Sequence, residues 1–115
     1  METTDATIAL AALSHAKRLE IYRALVKRGP QGYAAGVIAE RLDVPAPTLS
    51  FHLKALEHAG LVTARQEGRY QFYTANFATM TALIEFLNAE CCSLADDACA
   101  KDCVPAASLR KRKRS

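Results

Sequence analysis

A chain of 115 residues, half of them apolar, holds one domain with a modest core, small enough that self-association would help it. No apolar run approaches the roughly 20 residues that cross a bilayer, and the opening Met1-Glu2-Thr3-Thr4-Asp5 lacks the basic start of a secretory signal, which predicts a cytoplasmic chain without a membrane partner. The net charge of +3 belongs to the end of the chain: Arg110-Lys111-Arg112-Lys113-Arg114 supplies five of fifteen basic residues, and the remainder sets ten basic against twelve acidic groups. The bland reading of that run is a solvated tail, and the functional alternative is a non-specific phosphate contact.

The apolar spacing is mainly helical. A first short helix is predicted over Thr4–Leu13. Ser14, a good N-cap, then opens a second helix through Arg28 with Leu19, Tyr22, Leu25 and Val26 on one face. Gly29-Pro30-Gln31-Gly32 ends it. A third helix over about Ala34–Leu42 leads to a turn at Asp43-Val44-Pro45, and a fourth runs from Ala46 or Pro47 to His58, stopped by Gly60.

Two short helices joined by a tight turn form a helix-turn-helix, whose second helix lies in the major groove of DNA. In that second helix Leu49, Leu53 and Leu56 fall at i, i+4 and i+7 and bury one face. Pro47, Thr48, Ser50, Phe51 and Lys54 are left outward or on the flanks. Thr48 and Ser50 suit phosphates or bases, Lys54 a phosphate or guanine, and Phe51 a thymine methyl. His52 sits beside the leucine stripe, where packing or an interhelix hydrogen bond is expected in place of base reading.

After Gly60 the residue types change. Leu61–Arg65 and Tyr70–Thr74 are rich in β-branched or aromatic residues and flank Gln66-Glu67-Gly68-Arg69, a β-hairpin with glycine in its tip. A hairpin directly after a recognition helix makes a winged helix-turn-helix, with Arg65 and Arg69 placed to reach phosphate or the minor groove. Each arginine alone reads equally well as a solvated hairpin charge. The predicted fold class is mainly α with a β-hairpin wing, a domain over 1–92 followed by a cysteine-containing segment and basic tail over 93–115.

"LSHAKRLEIYRALV", "VIAERLDVPAPTLSFHLKALEHAGLV" and "RQEGRYQFYTAN" resemble successive signatures of the ArsR/SmtB family, over about residues 8 to 77. The most specific part is Thr48 to Leu56 followed by Ala59-Gly60-Leu61-Val62. Ser14-His15-Ala16 stands where the family usually has an Asp-Pro pair. The resemblance implies a transcriptional repressor that dimerises through its first and last helices, binds double-stranded operator DNA without any cofactor, and leaves it when a metal or metalloid ion binds. The family's familiar Cys-x-Cys element at the start of the first helix-turn-helix helix has no counterpart in Gln31–Val37, which holds no thiol. The histidine-containing site on the last helix has none in Phe77–Leu87, which holds no histidine.

What remains is "AECCSLADDACAKDC", residues 89–103, which holds all four cysteines of the chain. The last helix carries Phe77, Met80, Ile84 and Leu87 at 3-4-3 spacing, widened by Leu83, a seam that packs a core or, as the resemblance favours, a subunit interface. Cys91 and Cys92 then lie at its end. On one continuous helix Cys92 and Cys99 would stand about 10 Å apart, too far for one ion. Ser93-x-x-Asp96 is a capping-box-like start, so a turn at Cys92-Ser93 lets Cys91, Cys92 and Cys99 converge, with Cys103 one turn beyond Cys99.

Three thiolates suit As(III) or Sb(III), soft ions bound as a three-sided pyramid, and adjacent cysteines plus a distal one resemble the family subgroup with a C-terminal arsenic site. Zn(II) would use all four thiols but in differently spaced pairs. Cd(II) or Pb(II), a disulfide-forming redox switch, a metal-buffering role and bystander thiols stay open. No histidine or carboxylate beside the cysteines makes a nucleophile–base pair, and His15, His52 and His58 have surface or packing readings, so no enzyme is predicted.

Overall fold

The computed structural model describes residues 1–95. Its elements run α1 (Thr3–Leu13), α2 (Ala16–Arg28), a 3-10 turn (Gly29–Gln31), β1 (Tyr33–Ala34), α3 (Ala35–Leu42), α4 (Ala46–His58), β2 (Val62–Glu67), β3 (Tyr70–Ala75) and α5 (Phe77–Asn88). The strands form one antiparallel sheet in the order β1-β3-β2. Among the described residues no helix is long and apolar enough to cross a membrane.

The helix-turn-helix forms as its sequence dictates. Asp43 closes α3 in the left-handed region, at φ 52°, and Val44 buries its side chain to pin the turn. Leu49 N–H donates to Pro45 carbonyl (2.9 Å) to start α4, whose second residue is Pro47, a position where the missing N–H would have had no helical partner anyway. Leu49, Leu53 and Leu56 are buried as the spacing requires. α4 ends in a paired-bond cap: Leu61 N–H reaches back to Leu56 carbonyl (3.0 Å) and Gly60 N–H to Glu57 carbonyl (2.9 Å), with Gly60 at φ 79° supplying the left-handed turn.

Tertiary contacts shift several expectations. Ser14 is not the N-cap of α2; it closes α1, donating its hydroxyl to Ala11 carbonyl (2.8 Å), and His15 takes the capping place, its Nδ1 accepting from Lys17 N–H (3.2 Å). The inward face of α2 is Ile21, Tyr22 and Leu25, where α2 packs against α4 and β3, while Leu19 and Val26 stay exposed. The strand Tyr33–Ala34 is an unforeseen addition, paired Tyr33 to Tyr73 and Ala34 to Phe72. Gly32 permits it: at φ 71°, a Cβ there would meet Tyr73 carbonyl oxygen at 2.5 Å. The hairpin strands run longer than predicted, leaving only Gly68 and Arg69 between Glu67 and Tyr70.

One core joins all the helices to the hairpin, with Ile21, Leu25, Ile38, Leu49, Leu53, Leu56, Leu61 and Val62 its largest fully buried side chains. α1 buries Ala6, Ala9 and Ala12, small side chains that let it lie close, and packs Leu13 half-buried against the core. The seam of α5 divides: Leu83 points into the core and Met80 packs half-buried against it, whereas Phe77, Ile84 and Leu87 stand exposed.

Candidate nucleic-acid interface and thiol cluster

The outer face of α4 carries Pro47, Thr48, Ser50, Phe51 and Lys54, all exposed, with Phe51 at 65% the most open aromatic of the described residues. Exposing a phenylalanine so fully forfeits about 1.5–3 kcal/mol of burial relative to a core site. An apolar ring held out beside hydroxyls and an ammonium is therefore suited to a surface that approaches α4 from outside.

The two wing arginines differ. Arg69 sits exposed at the hairpin tip with no ion pair among the described residues. Arg65, on β2, is tied to its own chain: Nη2 donates to Gln31 carbonyl at 2.9 Å, Nε pairs with Glu67, and the guanidinium carbon lies 5.1 Å from the Phe72 ring centre. Arg65 thus clasps the 3-10 turn to the wing, and its position does not leave it the free donor set that Arg69 has.

Behind α4 lies a polar junction. His52 is the buried polar side chain of the core, and its Nδ1 accepts from Arg18 Nε of α2 at 3.1 Å, the interhelix hydrogen bond expected of it. The ring proton is then on Nε2. Burial first, and then the neighbouring His15, Arg18 and Lys17, push the imidazole below its ordinary range, so it remains a neutral acceptor at physiological pH. The His15 ring packs at 4.7 Å and the Arg18 guanidinium carbon lies 5.5 Å from the Phe51 ring centre. Arg18 was not legible as a surface residue of this face, since 34 positions of sequence separate it from its partner.

The thiols lie beyond the last helix. α5 stops at Asn88, so Cys91 and Cys92 occupy a turn and not the helix end itself. Glu90 and Cys92 adopt left-handed backbones (φ 58° and 63°), and Cys91 N–H donates to Asn88 carbonyl, Ser93 N–H to Glu90 carbonyl and Ala95 N–H to Cys92 carbonyl. These bonds form a turn at Cys92-Ser93; the segment expected to fold back after it lies outside the described residues. The turn brings Cys91 Sγ to 3.6 Å from Cys92 Sγ; Cys91 is an exposed free thiol, whereas Cys92 is half-buried and disulfide-bonded. Cys99 and Cys103 lie outside the described residues. Within those residues no three histidine, cysteine or carboxylate groups gather as a metal site.

An exposed, hydroxyl- and lysine-bearing helix mounted on a tight helical turn and followed by an arginine-tipped hairpin defines a winged helix-turn-helix regulator. A helix-turn-helix family profile matches residues 13–65. The chain is 35% identical to the biofilm growth-associated repressor of Agrobacterium fabrum, over 78% of this chain and 74% of that protein. It is 34% identical to the arsenical resistance operon repressor of Staphylococcus aureus, over 76% and 82%. A homodimeric winged helix-turn-helix DNA-binding domain from Mycobacterium bovis superposes with a TM-score of 0.61 at 31% identity, covering 76% of this chain and 81% of that one. The chain belongs to the ArsR/SmtB family of winged-helix transcriptional repressors, which are DNA-binding regulators and not enzymes.

Proposed function

We propose that the protein is a cytoplasmic homodimer that represses transcription by holding double-stranded operator DNA in its ion-free form and releases it when As(III) or Sb(III) binds Cys91, Cys92 and Cys99. The observation that supports the sensor half is the turn after α5, which sets the Cys91 and Cys92 sulfurs 3.6 Å apart, and the ion-binding form is the one in which Cys92 is reduced. The names of the arsenical resistance repressors among the relatives support the choice of ion. For the DNA half, Pro47, Thr48, Ser50, Phe51 and Lys54 read and position on the groove, Arg69 reaches past the wing tip, and Arg65 contributes from the wing base through whichever donors its internal contacts leave. Exposed Phe77, Ile84 and Leu87 on α5, next to α1, form the subunit contact.

Release follows from linkage: the ion must bind the free conformation more tightly than the DNA-bound one, by about 1–3 kcal/mol in typical cases. Two reading heads must meet half-sites about 34–36 Å apart, so a small shift at the α5 interface disengages both. The thiol turn directly follows α5, which couples ligand binding to that interface.

The test is a titration of DNA binding with arsenite, antimonite, zinc, cadmium, lead and peroxide, on a duplex that the protein itself selects from a random library. Arsenite and antimonite should release the DNA. Cys91→Ser, Cys92→Ser and Cys99→Ser should each bind DNA and fail to release it, while Cys103→Ser releases normally. Release by peroxide with arsenite silent would make the cluster a redox switch, and release by cadmium, lead or zinc alone would reassign the ion. A variant lacking all four thiols that still left DNA on adding arsenite would end the metalloid reading.

A further inference from the structure

We propose that Arg18 of α2 is a phosphate-contacting residue of the DNA-reading face, held in position by the buried His52 and the exposed Phe51 of α4. The inference rests on α4 being the helix that meets DNA. It adds a cation from outside the helix-turn-helix that sequence spacing did not single out.

The geometry restricts Arg18 at two points. Its Nε–H is committed to His52 Nδ1 at 3.1 Å, and its guanidinium plane is steadied by the Phe51 ring at 5.5 Å. A guanidinium has five N–H donors in a fixed fork, so the Nε bond leaves the terminal Nη groups available for another acceptor. Arg18 makes no ion pair among the described residues; the neighbouring acid Glu20 lies 3.6 Å from Lys17 Nζ. Two other arginines are differently disposed: Arg65 is bound to Gln31 and Glu67, and Arg28 Nε donates to Gly32 carbonyl at 3.0 Å.

The position is as telling as the partners. Phe51 and His52 lie three and four residues after Thr48, so all three share the flank of α4 that α2 meets. Arg18 reaches that flank half-exposed, beside the outward ring of Phe51. An arginine fixed at Nε and lying over an aromatic ring has surrendered rotamer freedom before DNA arrives, which lowers the entropy lost on contact. Phosphate oxygens match the remaining fork. The buried imidazole keeps its acceptor because burial and the surrounding cations hold it neutral.

The experiment compares wild type, Arg18→Gln, Arg18→Lys and Lys54→Ala by fluorescence anisotropy across a salt series, on the duplex selected by the wild type. Glutamine keeps an N–H donor for His52 but removes the charge. It should bind at least about tenfold more weakly, with the log–log salt slope reduced by about 0.9 for each protomer on the DNA. Lysine should restore the slope and only part of the affinity, because it carries the charge without the fork. Wild-type slope in Arg18→Gln beside a reduced slope in Lys54→Ala would remove Arg18 from the DNA and leave the reading of α4 intact. Wild-type slopes in both would overturn the two together. Should Arg18→Gln unfold, the decision passes to 15N-arginine NMR of the wild type: adding the duplex should shift the Arg18 side-chain resonances and slow their exchange, and unchanged resonances would overturn the proposal.

Discussion

Helices α4 and α5 have nearly the same length and the same apolar spacing, yet they end in opposite situations. α4 sinks Leu49, Leu53 and Leu56 into a core closed by α1, α2, α3 and β2, and what it exposes is mostly polar. α5 sinks Leu83 alone and leaves Phe77 44%, Ile84 41% and Leu87 58% exposed, although these are side chains of the same kind. An apolar stripe is buried only as far as there are elements to cover it, and α5 lies at the edge of the domain against α1. The difference teaches that one spacing pattern serves folding in α4 and, on the proposed reading, assembly in α5.

Substitutions on the two stripes should therefore separate folding from assembly. The largest effect is expected at Leu53→Ala, which leaves a cavity among fully buried neighbours and should cost about 2–5 kcal/mol of folding stability. In a domain of this size each kcal/mol moves the thermal midpoint by about 4–8 °C, measured at fixed protein concentration because a dimer's midpoint depends on it. Next comes Ile84→Asp, which sets a carboxylate in the proposed subunit contact. Sedimentation should show monomers, with the dimer dissociation constant raised at least about a hundredfold, equivalent to about 2.8 kcal/mol. A persistent dimer with intact DNA affinity would place the interface elsewhere and collapse the contrast between the two helices.

A smaller effect sharpens the comparison from inside α4, whose buried face includes a titratable group as that of α5 does not. The His52 imidazole is held below its ordinary value of about 6.5, chiefly by burial, with Arg18 and Lys17 of α2 and His15 at its start adding to the shift. Between the depressed folded value and about 6.5 the unfolded chain binds more protons, so stability falls as the pH drops through that interval and is flat above it. Protonation also removes the acceptor for Arg18 Nε. His52→Gln should lose this part of the acid sensitivity in thermal melts between pH 7 and 5. An unchanged pH profile would mean that another group carries it.

Much of the molecule could be read from the chain alone, wherever a rule acts within a few residues. The bounds of α4, its leucine stripe, the Gly60 stop and the glycine in the wing tip each follow from spacing or from one residue's backbone freedom. Elements that depend on a distant partner were not legible. A two-residue strand at Tyr33–Ala34 has no pattern of its own and exists because Gly32 lets it approach β3. Ser14 and His15 are both able to cap a helix, and the choice between them fell with the end of α1.

The DNA face shows the same division. Pro47, Thr48, Ser50, Phe51 and Lys54 were outward because the leucines opposite them were inward, a consequence of helical period alone. Arg65 and Arg69, alike in sequence, were separated by tertiary structure, since only Arg65 lies within reach of Gln31 and Phe72. Sequence by itself determined the family, the helix-turn-helix and the wing, because these rest on local period, turn residues and composition. Only the tertiary structure decided which apolar residues of α2 and α5 are covered, and that Arg18 meets His52 across 34 residues. Burial and side-chain hydrogen bonds are set by what other elements bring alongside, and no local window of sequence contains that.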